Sequence, residues 1–203
     1  MDFIDGYLSD VAEIARKIDR GEVESVIGAL LATRERGGRL FFLGVGGSAG
    51  NASHAVCDFR KIGGFEAYAP IDNISEITAR TNDEGWDTVF SEWLSGSRVG
   101  SADAVFVFSV GGGSVQSNIS ANIVRALEVA RSAGATILGV VGRDGGFTRQ
   151  VADASVLVPV VNPETVTAHS EAFQAVIWHL IISDPRVAKV GMKWESTVAM
   201  ETR

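Results

Sequence analysis

A single cysteine, Cys57, stands in 203 residues, so no intrachain disulfide can form and the chain suits a reducing compartment. With nothing in the sequence to mark it as exposed or electropositive, Cys57 reads as a small packed residue rather than a nucleophile. Long apolar runs are also missing: nothing reaches the roughly 18 residues that a membrane span needs. The start, Met1 to Asp5, lacks the basic region and apolar stretch of a secretory leader, so a cytoplasmic protein with no membrane partner is expected. Basic excess is absent too. Lys and Arg number 18 against 25 Asp and Glu, a formal net charge of -7, which argues against nucleic acid as a partner. No linker-like stretch divides the chain. One domain over residues 1–203 is expected, with N-terminal helices at 1–36, an α/β core at 37–183 and a polar tail at 184–203.

What the chain does have is glycine, placed directly after apolar runs. Leu40 to Leu43 reads as a strand, Gly44 to Gly47 as a turn, and Ser48 onward as a helix. Such a turn lets the backbone approach a ligand, and the N–H groups at the helix start attract an anion such as phosphate. His54 and Asp58, four residues apart, share a face of that helix and set acid–base or metal-binding groups beside the anion site. The alternative is an ordinary polar helix face. A second alternative is a nucleotide site, because Gly44, Gly46 and Ala49 fit the looser GxGxxA fingerprint, with Glu66 near the acidic position.

The design recurs. Asp103 to Phe108 is a buried parallel strand that runs into Ser109-Val110-Gly111-Gly112-Gly113-Ser114, a second anion-binding nest or else a flexible connector, with a long helix following. Further strands are expected at Glu66–Pro70, Thr136–Val141 and Ser155–Val160. About five strands alternating with helices argue a doubly wound parallel sheet with both glycine–serine loops on one edge. Two amphipathic helices, Phe3 to Ile18 and Val23 to Leu31, precede it, free to cover the sheet or a neighbouring subunit. Asn73 caps a helix from Ile74 to Arg80. Thr81 to Phe90 is a loop leading into an amphipathic segment that ends near Leu94. The last helix, about Thr167 to Ile182, carries His169, Glu171, Gln174 and His179. Glu171 and His179 are eight positions apart, about 80° around an ideal helix, so both can face one pocket. Arg60, Lys61 and Arg143 read by default as solvated charges.

These stretches together, FLGVGGSAGNASH, TNDEGWDTVF, FSVGGGS, GRDGG and the histidine-bearing final helix, resemble the sugar isomerase domain family, specifically its phosphoheptose isomerase branch. The resemblance implies a flavodoxin-like fold and a homotetramer whose active sites lie between subunits. It implies aldose–ketose isomerisation of a phosphosugar, most simply sedoheptulose 7-phosphate, on a route to activated heptose for surface polysaccharide. Carried over by position, Ser48, Ser109 and Ser114 contact phosphate, with Gly46, Gly47, Gly111 and Gly112 completing the loops. Asp58 and His179 become catalytic, Asn51, Asn82 and Asp83 line the substrate pocket, and His54, Asp58, Glu171 and His179 form a metal set suited to zinc. No nucleotide cofactor is implied. The chain departs from the family in having Asp58 for a glutamate, Glu171 for a glutamine and Gly111 for a serine, which points to an altered phosphate grip or another sugar. A different class of reading remains, a phosphosugar-binding protein without catalysis; it would need the loops but not the histidine and carboxylate set.

Overall fold

The computed structural model describes residues 2–193, 195 and 197. The end of the expected tail lies outside them.

Among the described residues, five parallel strands form one sheet: β1 (Leu40–Leu43), β2 (Ala67–Tyr68), β3 (Ala104–Ser109), β4 (Thr136–Val141) and β5 (Ala154–Leu157). Their spatial order is β2-β1-β3-β4-β5. All six residues of β3 are buried, as a strand covered on both faces requires. Side chains alternate between two cores. Leu40, Phe42, Phe106, Phe108, Leu138 and Val140 pack on one face with helices α2 (Arg20–Glu35), α3 (Gly47–Lys61) and α8 (Val166–Ser183). Phe41, Leu43, Val105, Val107 and Ile137 pack on the other with α5 (Val89–Gly96) and α6 (Ala121–Ser132). The helix after β1 and the helix after β3 therefore lie on opposite faces, and a crevice opens where β1 and β3 are neighbours.

The two N-terminal helices divide the roles left open by their pattern. Helix α2, capped by Asp19 through the Gly21 and Glu22 N–H groups, buries Val23, Val26, Ile27 and Leu30 against the sheet. Helix α1 (Phe3–Lys17) buries only Ile14 and leaves Phe3 and Ile4 more than half exposed.

Several boundaries differ from the sequence pattern for physical reasons. β2 stops short of Pro70, which begins a single 3-10 turn, Pro70–Asp72. β5 ends before Pro159, which has no N–H to continue a ladder. The helix after the second glycine loop starts only at Ala121. Before it, Ser114 and Ile119 exchange both backbone hydrogen bonds and close a tight turn. The segment expected as a loop at Thr81 to Phe90 is largely helical: α4 (Ile74–Asp83), with Asn73 accepting the Glu76 N–H, is followed by a 3-10 turn at Trp86–Thr88 and then α5. The exchange of one helix for another within ten residues hides both periodicities. The remaining helix, α7 (Gly146–Val151), follows the GRDGG turn.

Candidate functional site

Helices α3 and α8 run side by side in the same direction and build most of the site. Gly47, the first residue of α3, lies against the Glu171 carboxylate, so closely that a Cβ at Gly47 would overlap it. One turn on, Asn51 Nδ2 donates to the Glu171 carbonyl (2.9 Å) and to Gln174 Oε1 (3.0 Å). Another turn on, His54 meets the edge of Trp178, ring centroids 4.8 Å apart, and His179 stacks on Trp178 at 3.4 Å. This seam delivers the pairing that helical spacing anticipated. His54 Nε2 stands 3.9 Å from Asp58 Oδ2, and His179 joins them, with ligand atoms of the three within 4.8 Å of one another.

The cluster has the chemistry of a cation site. His179 Nδ1 lies 2.7 Å from the Ala175 carbonyl oxygen, which can only accept, so Nδ1 donates there and Nε2 is the nitrogen left to face a ligand or a moving proton. Two imidazoles and a carboxylate suit zinc or a similar divalent ion and leave a coordination position open. Glu171 stands apart from the three. Eight residues correspond to about 12 Å along a helix, and its carboxylate is committed to the Gly47 end of α3. There it occupies the positive end of the α3 dipole, beside Gly46, Gly47 and the buried Ser48, the region where the sequence pattern places an anion. Asn51, expected in a pocket, serves the seam between helices.

The second glycine loop is held from behind. Gly112 and Gly113 have φ of 68° and 81°, and their carbonyls accept the Thr148 and Phe147 N–H groups at the start of α7. Thr148 Oγ1 adds a 2.7 Å bond to the Gly112 carbonyl. Ser109 Oγ accepts the Gly112 N–H, and Ser114 Oγ accepts the Ser117 N–H. A cavity of about 520 Å³ opens on this loop, lined in part by Gly111, Ser114 and Arg143.

Other residues singled out by sequence fall elsewhere. Asn82 and Asp83 are exposed at the end of α4, where Asn82 Nδ2 donates to Asp83 Oδ1. Cys57 is exposed, not packed, because it lies off the stripe of α3 that buries Ala52, Val56 and Phe59. His169 is buried beside Tyr7 and 3.5 Å from Asp10 Oδ2, and so belongs to the docking of α1. Arg60 donates to the Ala67 carbonyl and covers the Tyr68 ring, a structural task rather than a solvated charge. Sequence reasoning missed Arg143 as a cavity residue. Its signal was position: it follows the carboxyl end of β4, the sheet edge where ligands collect.

Comparison with known proteins gives consistent relatives, while no family model matches the chain. The phosphoheptose isomerase of Trichlorobacter lovleyi is 34% identical over 165 residues, spanning 77% of this chain and 81% of that protein. A probable phosphoheptose isomerase of Thermoplasma volcanium is 31% identical over 188 residues, 90% of each chain. The solved phosphoheptose isomerase of Neisseria gonorrhoeae superposes with a TM-score of 0.75 at 25% identity, covering 88% of this chain and 94% of that one.

Proposed function

The chain belongs to the phosphoheptose isomerase family, and from that premise we propose that it interconverts sedoheptulose 7-phosphate and an aldoheptose 7-phosphate, feeding activated heptose toward surface polysaccharide. The observation that carries the reading is the His54, Asp58 and His179 cluster on the seam between α3 and α8, the same seam whose other end meets the first glycine loop at Gly47. A protein that only binds phosphosugars needs the loops and has no use for that cluster.

The reaction moves one proton between neighbouring carbons. A base takes the proton from the hydroxyl-bearing carbon beside the carbonyl while an acid protonates the carbonyl oxygen, giving an enediol; the former carbonyl carbon then receives a proton as the other hydroxyl gives up its own to become the new carbonyl. Asp58 and His179 supply base and acid between them, His179 through the Nε2 that its bond to Ala175 leaves free. The second loop, with Ser109, Gly111, Gly112 and Ser114, grips the phosphate; Gly46, Gly47 and Ser48 close the site from the first loop. Asn82 and Asp83 complete the sugar pocket from a neighbouring subunit of a homotetramer.

The donor set fits a divalent metal, and His54, Asp58 and His179 would hold it. Bound there, zinc would polarise the substrate carbonyl and stabilise negative charge on its oxygen. A lone pair that holds the metal cannot also carry the moving proton, so the metal-bound scheme and the Asp58–His179 acid–base scheme compete for the same residues. The unit is the single domain over 1–203, working in the cytoplasm.

His179→Ala tests the reading. It should lower turnover by at least about two orders of magnitude while the protein stays folded. Turnover near that of the native chain would remove His179 from catalysis.

A further inference from the structure

The cavity of about 520 Å³ at the second glycine loop has an electrostatic requirement that the loop alone does not meet. Gly111 and Gly113 bring no side chain. The oxygens of Ser109 and Ser114 already accept backbone N–H groups, so each hydroxyl has a single proton left to give. A phosphate ester near neutral pH carries close to two negative charges, and a grip made of hydroxyls and N–H dipoles gives it no full counter-charge.

Arg143 is the one cation among the described residues that line this cavity. No hydrogen bond or ion pair engages its guanidinium among the described residues, in contrast to Arg34, Arg36, Arg39 and Arg60, all of which are tied to backbone carbonyls. Asp144 lines the same cavity, and its Oδ1 accepts the Gly146 N–H; no ion pair joins it to Arg143 among the described residues. The backbone at Arg143 is left-handed, φ 54°, a conformation that glycine or asparagine adopts at lower cost. No hydrogen bond or ion pair among the described residues calls for an arginine at this position. What the side chain offers is a planar fork of donors matched to phosphate oxygens.

We propose that Arg143 is the cation that binds the substrate phosphate over the second glycine loop, which makes it the residue that selects phosphorylated over free sugar. The inference rests on the phosphosugar reading of the same site. With the phosphate there, the carboxylate of Glu171 at the first loop faces the sugar rather than competing with the phosphate.

The test uses Arg143→Met, which removes the fork, Arg143→Asn, which relieves the left-handed backbone, and Arg143→Lys, which keeps a point charge. Binding of inorganic phosphate and of sedoheptulose 7-phosphate is measured by calorimetry, alongside steady-state kinetics. Met and Asn should each weaken both ligands roughly 10- to 100-fold, with kcat/KM falling through KM, and Lys should recover part of the loss. The melting temperature of the Asn variant should equal or exceed that of the native chain, which separates the loss from unfolding. Unchanged affinity in Met and Asn overturns the proposal, as does a native chain that binds neither ligand. A native chain that binds both yet turns over no sugar contradicts the isomerase reading alone, and the variants then decide the role of Arg143.

Discussion

At the scale of single residues, the most consequential buried charge outside the site is Asp103, which is 4% exposed just before β3. Burial pushes its carboxyl up, but the Arg39 guanidinium and the N–H groups of Arg39 and Gly100 outweigh burial and hold it below the usual carboxylate range. A group whose pKa is depressed by folding gives stability that is present above its unfolded pKa, about 3.9, and fades as pH falls through the lower folded value. Asp103→Asn should therefore cost about 3 kcal/mol near neutral pH, and the gap to the native chain should narrow in acid. Urea unfolding at pH 7 and in steps below pH 4 measures both; equal stability at pH 7 would refute the argument. The same scale shows where sequence and structure part. His54 and Asp58 were legible because four residues make a helical turn. Glu171, two turns from His179 on α8, lies against Gly47, outside the His54, Asp58 and His179 cluster; what holds its carboxylate there is a neighbour on another helix, which spacing along α8 does not name.

At the scale of elements, the two glycine loops are the informative parts, and they are not equivalent. The first ends under a carboxylate from α8. The second is locked to α7: a Cβ on Gly112 would collide with the Gly145 carbonyl, and one on Gly146 with the carbonyls of Gly111 and Gly113. Gly112→Ala should then destabilise by at least about 2 kcal/mol, since the φ of 68° and the collision both oppose a side chain. The matched control is Gly28→Ala in α2, where a Cβ meets nothing within 4 Å; it should gain up to about 1 kcal/mol. Thermal unfolding of the pair checks this, and similar melting temperatures would mean that the loop yields. Strands and long helices were readable because their hydrophobic periods run uninterrupted. Thr81 to Phe90 was not, since α4, a 3-10 turn and α5 each contribute too few residues there for a period to show.

At the scale of the whole molecule, the strand order places both loops at one crevice, with the Glu171 end of the seam between α3 and α8 against the first loop, and the crevice was legible as a class from alternating strands and helices. Which helix covers which face was not, because an amphipathic stripe does not name its partner. Helix α2 took the sheet, and α1 kept an outward apolar face at Phe3, Ile4 and Leu8. The pairing of Asn51 with Gln174 and of His54 with Trp178 joins residues more than 120 positions apart, a distance no local pattern spans.

Isomerisation of a phosphorylated ketose is the activity that these residues are proposed to perform. The most direct test is turnover of sedoheptulose 7-phosphate by the purified protein, before and after chelation, with metal content determined on the same sample. The account predicts conversion to the aldose phosphate, falling on chelation and returning with zinc in proportion to metal bound. No conversion by metal-replete protein that binds the sugar phosphate tightly would contradict it.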